Sequence, residues 1–155
     1  MKADKTTGTL TEILKGTKPE EAGSYLSEYS DELLEKDRPF AAFMRKTLKA
    51  HGLRQQEAFL AADISEGYGY KLLAEEKHTR QRDTVLRLCL GGRFTLTETQ
   101  RALKICGMSP LYPRSPRDAV LIIALNTGIY RIPEVNALLE EHGMEPLRAT
   151  KSAEE

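Results

Sequence analysis

The chain has 155 residues, 40% of them apolar, and 23 Lys and Arg balance 23 Asp and Glu. That length suits one domain or two small ones around a compact core, and zero net charge gives no global pull toward nucleic acid. With no run of about 18 apolar residues and no charged-then-apolar leader, the sequence predicts neither a membrane span nor a signal peptide, and a cytoplasmic location.

In chain order, residues 1–37 read as an acidic helical lead-in. A polar start gives way at about Thr9 to a short helix with Leu10, Ile13 and Leu14 on one face, ending near Gly16. Pro19, Glu20 and Glu21 then place a proline at the first helical position and acids in the first turn, which suits the positive end of a helix dipole. That helix is expected to carry Ala22, Tyr25, Leu26 and Tyr29 inward. Ser30-Asp31-Glu32 reads as another cap, leading to Leu33 and Leu34. The lead-in serves as a brace or as the contact surface for a protein partner.

The stretch from Arg45 to Thr84 organises the chain. An amphipathic segment with Phe40, Phe43, Met44 and Leu48 on one face stops at Gly52, a residue suited to the left-handed turn after a helix. A second helix is predicted from Arg54 to about Ala61. Ser65 caps a third, anchored by Leu72 and Leu73. Two short helices meeting across a tight turn form a helix-turn-helix. The charge agrees with the placement: Arg45 to Arg93 holds ten Lys or Arg against six Asp or Glu, whereas the flanking segments are slightly acidic.

Gly52, Leu53, Gln55, Glu57, Ile64 and Ser65 form the run G-L-x-Q-x-E-x-x-x-x-x-x-I-S. This run resembles the Cro and lambda-repressor-like (XRE-type) helix-turn-helix family over roughly Arg38 to Gly107. Three departures from it stand out. Ala58 and Phe59 replace a Leu-Ala pair, Glu75 stands where a glycine ends the third helix, and Thr79 stands where a proline follows. The resemblance implies that Glu66 to Leu73 is a recognition helix for double-stranded DNA. Glu66, Tyr68 and Lys71 are then the candidates at base edges, and Gln55, Lys77, His78, Arg80 and Arg82 the candidates on phosphates. Glu66 fits only where a cytosine amino group donates to it. Gly67 and Gly69 each cost a helix interior about 0.5 to 1 kcal/mol.

Beyond this stretch the sequence repeats itself. Arg82 to Leu111 and Arg117 to Leu147 match at Arg82/Arg117, Asp83/Asp118, Val85/Val120, Leu86/Leu121, Leu90/Leu125 and Gly92/Gly128, with one gap near Gly91. Further on they match at Glu98/Glu134, Leu103/Leu139, Gly107/Gly143, Met108/Met144, Pro110/Pro146 and Leu111/Leu147. Twelve matches in about thirty positions mark an internal repeat of a helical hairpin. In the first copy Thr95 and Glu98 form a capping box. In the second, Ser115, Pro116 and Asp118 open one helix and Pro133 the other. Val120 to Leu125 is apolar all round, which predicts a helix buried on most sides.

The expected architecture is all-α, a lambda-repressor-like bundle over 38–111 extended by the second hairpin at 112–147, with a disordered tail at 148–155. With Tyr68-Gly69-Tyr70 and the Pro110 to Arg114 joint, the chain resembles a group of small bacterial helix-turn-helix regulators, which implies a homodimeric transcription regulator. The alternative is a helical adaptor that contacts proteins through the acidic lead-in or the second hairpin. Cys89 and Cys106 read as buried thiols. His51, His78 and His142 fall at predicted helix ends, where a cation complements the dipole. Neither a catalytic constellation, a metal site nor a cofactor motif is predicted.

Overall fold

A computed structural model describes residues 6–33 and 38–150. Among the described residues the protein is all-helical, with nine α-helices. None of these is long and apolar enough to cross a membrane. The chain divides into two compact units, Met1–Lys36 and Asp37–Glu155.

The first unit holds α1 (Thr7–Lys15) and α2 (Ala22–Glu28), with 3₁₀ turns at Pro19–Glu21 and Ser30–Glu32. The Thr6 hydroxyl caps α1 by accepting from the Thr9 N–H. The Glu21 carboxylate takes the Lys18 N–H at 3.2 Å. Tyr25 is buried and its ring lies 4.8 Å from that of Tyr29. Ala22 and Leu26 do not turn inward as expected; both are exposed, because α2 is too short to cover a full apolar stripe. The role expected of Leu34 lies outside the described residues.

The second unit holds α3 (Pro39–Ala50), α4 (Gln55–Ala62), α5 (Glu66–Leu73), α6 (Arg82–Gly91), α7 (Leu96–Ile105), α8 (Pro116–Asn126) and α9 (Ile132–Glu141). Helix α3 buries Phe40, Ala41, Met44 and Leu48, spaced for one face. It closes on His51 and on Gly52 at φ +70°. Helix α6 is buried along its whole length from Thr84 to Gly91, so it is the axis of the core. The Gly91 Cα makes this possible: a Cβ there would lie 2.4 Å from the Ala58 carbonyl oxygen, so only glycine lets α4 cross so closely.

The departure at Glu75 has a structural reason. Glu75 adopts the left-handed φ of +57° that a glycine would take, at a cost of roughly 1 to 2 kcal/mol for an L-residue. Its carboxylate accepts the Ala41 N–H at 3.3 Å, at the start of α3. Arg38 makes no side-chain cap there, so Glu75 supplies from a distance what the local sequence lacks.

The two hairpins, α6–α7 and α8–α9, pack crosswise, α6 against α9 and α7 against α8. Their bonds correspond one for one. Arg82 donates to Asp118 at 2.8 Å and to the Ser109 and Pro110 carbonyls. Arg117 donates to Asp83 at 2.9 Å and to the Glu145 and Pro146 carbonyls. The side-chain oxygens of Gln100 and Asn136 receive the Leu111 and Leu147 N–H groups. Asp118 also accepts from the Tyr112 N–H, and Asp83 from the Arg148 N–H. The duplication is therefore a pseudo-twofold clasp.

The structure corrects three sequence readings in this half. Both turns close left-handed, at Arg93 (φ +57°) and Gly128 (φ +73°), which pairs Gly92 with Thr127 and leaves Tyr130 as the inserted residue. Arg148 is not part of a loose tail, since Asp83 holds its N–H and the Arg87 guanidinium holds its carbonyl. Ser115 stands at the N-cap but makes no side-chain cap, while Asp118 is in the first turn as expected and also pairs with Arg82. Helix α8 is buried on most sides as expected, through Val120, Leu121, Ala124 and Leu125, and leaves Ile123 55% exposed.

Candidate nucleic-acid interface

Helices α4 and α5 meet across Asp63–Ser65, and the turn closes on Asp63 at φ +55°. An Asp tolerates this conformation better than most side chains. Ala58, Phe59 and Ala62 fix α4 to the core, while Tyr68, Gly69, Leu72 and Leu73 fix α5. Gly69 sits under the Phe59 ring, where a Cβ would come within 2.6 Å of ring carbons. Gly67 is different. A Cβ on it would meet nothing within 4 Å, so the fold itself does not require that glycine.

The outward face of α5 is therefore Glu66, Gly67, Tyr70 and Lys71, all exposed. Tyr70 is held upright by an edge-on contact with Phe59, ring centroids 5.0 Å apart. It borders a shallow groove lined also by Arg45, Leu48, Lys49, Gly52, Leu53, Arg54 and Gln55. Gln55 is the first residue of α4, so its backbone N–H belongs to the unsatisfied donors of a helix start. Arg54 pairs with Glu57 at 2.8 Å, but both side chains are exposed, so that bond is weak and exchangeable. Positive side chains from α3 and from the α3–α4 turn thus flank one side of α5.

Two of the expected site residues are elsewhere. Tyr68 is buried, with 3% of its surface exposed, and cannot reach a base edge. It lies four residues before Leu72, so a helix that buries Leu72 buries Tyr68 too, and Tyr70 takes the outward position instead. Arg82 donates through all three guanidinium nitrogens to Asp118, Ser109 and Pro110, so it is spent on the repeat clasp.

The remaining phosphate candidates divide. Arg80 is exposed. Lys77 and His78 line a separate cavity of about 280 Å³ with Phe40, Leu72, Glu75, Leu88 and Cys106, away from the groove. His78 lies in the α5–α6 loop rather than at a helix end, whereas His51 and His142 do close α3 and α9. His51 has a further role, a 2.7 Å bond to Glu98 of the capping box.

Arg45 and Lys49, absent from the sequence-based set, have a legible signal. They stand four apart on the side of α3 opposite Phe40 and Met44. Burial pushes the Cys89 thiol up strongly, and burial with the nearby Glu75 charge pushes Cys106 up to about 11, so neither is a reactive thiolate near neutral pH. Among the described residues no cluster of His, Cys, Asp and Glu can hold a metal ion. Comparison with protein-family models, with curated proteins and with solved structures returned no match.

Proposed function

We propose that the protein is a duplex-DNA-binding regulator that lays α5 in the major groove and rests α3 and the start of α4 on the backbone. The observation that carries this reading is the continuity of the exposed α5 face, Glu66, Gly67, Tyr70 and Lys71, with the groove of Arg45, Lys49, Arg54 and Gln55. Base edges are read from the early and outward residues of such a helix, and cations beside it neutralise phosphates. Lys71 suits a guanine edge, Glu66 a cytosine amino group, and Tyr70 an apolar contact with a thymine methyl. Gly67 leaves the helix surface bare where the bases come closest. Arg80 is the one expected phosphate contact beyond α5 that the reading retains. It assigns the chain no catalytic step, a cytoplasmic location and, for reading two half-sites a turn apart, a homodimer.

Fluorescence anisotropy on labelled duplexes at two salt concentrations tests it. Replacing Arg45 and Lys49 together with Ala is expected to weaken all duplexes alike and to flatten the slope of log K against log salt by about 0.9 per phosphate released. Tyr70→Ala or Lys71→Ala is expected to change the preference among sequences, by about 1 to 3 kcal/mol at one position. Wild-type protein without salt-dependent duplex binding at low ionic strength would refute the assignment.

A further inference from the structure

We propose that the outer face of the second hairpin, α8–α9, is a docking surface for a basic amphipathic helix of a partner protein. The internal repeat carries the argument, because its first copy shows what this face binds. On α6, Arg87 donates to the Ala62 carbonyl at 3.1 Å and Gly91 lies against Ala58 and Ala62, so this side of the first hairpin holds α4. The neighbouring side holds α3. Phe94 meets Phe43 edge-on at 6.1 Å, Arg101 lies over Phe43 at 5.5 Å, and Glu98 bonds His51. Leu88 completes that surface and is 1% exposed.

The second copy keeps the surface and leaves it open. The equivalents of Arg87 and Leu88 are Ile122, half-buried, and Ile123, which is 55% exposed. Ile129 takes the place of Phe94, with Tyr130 beside it, and Leu138 the place of Ala102; all three are half-buried. Two of these changes put a branched apolar side chain where the first copy has a charged or a smaller one, Ile122 for Arg87 and Leu138 for Ala102. Both pack partly against the core and stay half-buried, where their counterparts Arg87 and Ala102 are fully covered, so the surface is left open chiefly at Ile123.

The charge at the rim selects the partner. Glu134 stands where Glu98 receives His51, and Glu141 stands exposed where Ile105 is half-buried. Within the hairpin the exposed Arg131 lies 3.5 Å from Glu134, and Glu141 makes no ion pair among the described residues. The helix that the first copy holds, α3, meets that face with Phe43 and with the imidazole of its closing residue His51 on Glu98, whereas Arg45 and Lys49 stand on its far side. With Glu134 and Glu141 exposed at the rim, where the first copy's Glu98 takes a basic side chain, the occupant is a helix with a Phe or Leu stripe flanked by Lys and Arg. This surface is independent of the α5 face and stands or falls separately from DNA binding.

The probe is a labelled peptide with the sequence of residues 39–62, which reproduces that chemistry, titrated into the full chain by anisotropy. Binding is expected to weaken at least about tenfold with Ile123→Lys and comparably with Glu134→Lys plus Glu141→Lys. Leu60→Lys, at an exposed leucine on α4, is expected to leave it unchanged, with circular dichroism confirming that each variant folds. Absence of binding at about 1 mM peptide would overturn the proposal. So would binding indifferent to Ile123→Lys, which would mean exchange into the first hairpin. A dimer in sedimentation that Ile123→Lys dissolves would overturn it as well, by assigning the face to a second copy of the chain.

Discussion

Arg82 and Asp118 meet at 2.8 Å across the two hairpins, and Arg117 and Asp83 meet at 2.9 Å in the equivalent arrangement with the copies exchanged. Each arginine also binds the two carbonyls that follow the last helix of its own hairpin. One side chain thus closes its hairpin and ties it to the other copy. This arrangement explains why Arg-Asp recurs at the start of both repeats, a position that the sequence alone presents only as a helix opening.

Removing either arginine leaves an aspartate short of a donor and two carbonyls without partners. Arg82→Ala and Arg117→Ala are each expected to lower the unfolding free energy by about 1 to 3 kcal/mol in urea denaturation. Duplex binding by the folded fraction of Arg82→Ala is expected to stay at the wild-type level, since Arg82 serves the clasp and not the phosphates. A large loss of binding without loss of stability would reverse that assignment.

The same clasp sets an acid limit. Burial alone raises the Asp83 and Asp118 carboxyls, but the Arg117 and Arg82 bonds and the Arg148 and Tyr112 N–H donors outweigh it and hold both below the ordinary carboxylate value. A depressed folded value contributes stability that is complete above the unfolded value of about 3.9 and is lost as pH falls through the folded values. Thermal melts are expected to be flat in this term from neutral pH to about pH 5 and to fall below about pH 4. Asp83→Asn with Asp118→Asn is expected to reduce the acid-side loss.

Glu75 combines a strained backbone with a useful side chain, and substitutions separate the two. Glu75→Ala keeps the left-handed strain and loses the bond to Ala41 N–H, so it is expected to cost about 1 kcal/mol. Glu75→Gly loses the bond but relieves the strain, and is expected to fall within about 0.5 kcal/mol of wild type. Equal losses in the two variants, measured by chemical denaturation, would show that the capping bond alone matters.

Gly67 and Gly69 sit two residues apart in α5 and are expected to respond oppositely to alanine. Gly67→Ala meets open space and is expected to stabilise the fold by about 0.5 to 1 kcal/mol while weakening duplex binding. Gly69→Ala drives a methyl into the Phe59 ring and is expected to destabilise by about 1 to 3 kcal/mol. Melting curves and anisotropy on the two variants check both halves.

What the sequence by itself determined is local or periodic. The apolar spacing of Phe40, Met44 and Leu48, the Thr95–Glu98 capping box and the glycines at 52, 107 and 143 act within a few residues, so helices and their ends were legible. The repeat was legible because duplication copies side chains as well as backbone. Only the tertiary structure decided which way α5 faces, because Gly69 and Phe59 lie ten residues apart yet set its rotation together. That rotation buries Tyr68 and exposes Tyr70. It also decided that Arg82 belongs to Asp118, 36 residues away, and that Glu75 caps a helix 34 residues before it. The open face at Ile123 was hidden for the same reason. An apolar run shows that side chains avoid water, whereas which of them find a neighbour depends on where other parts of the chain come to rest.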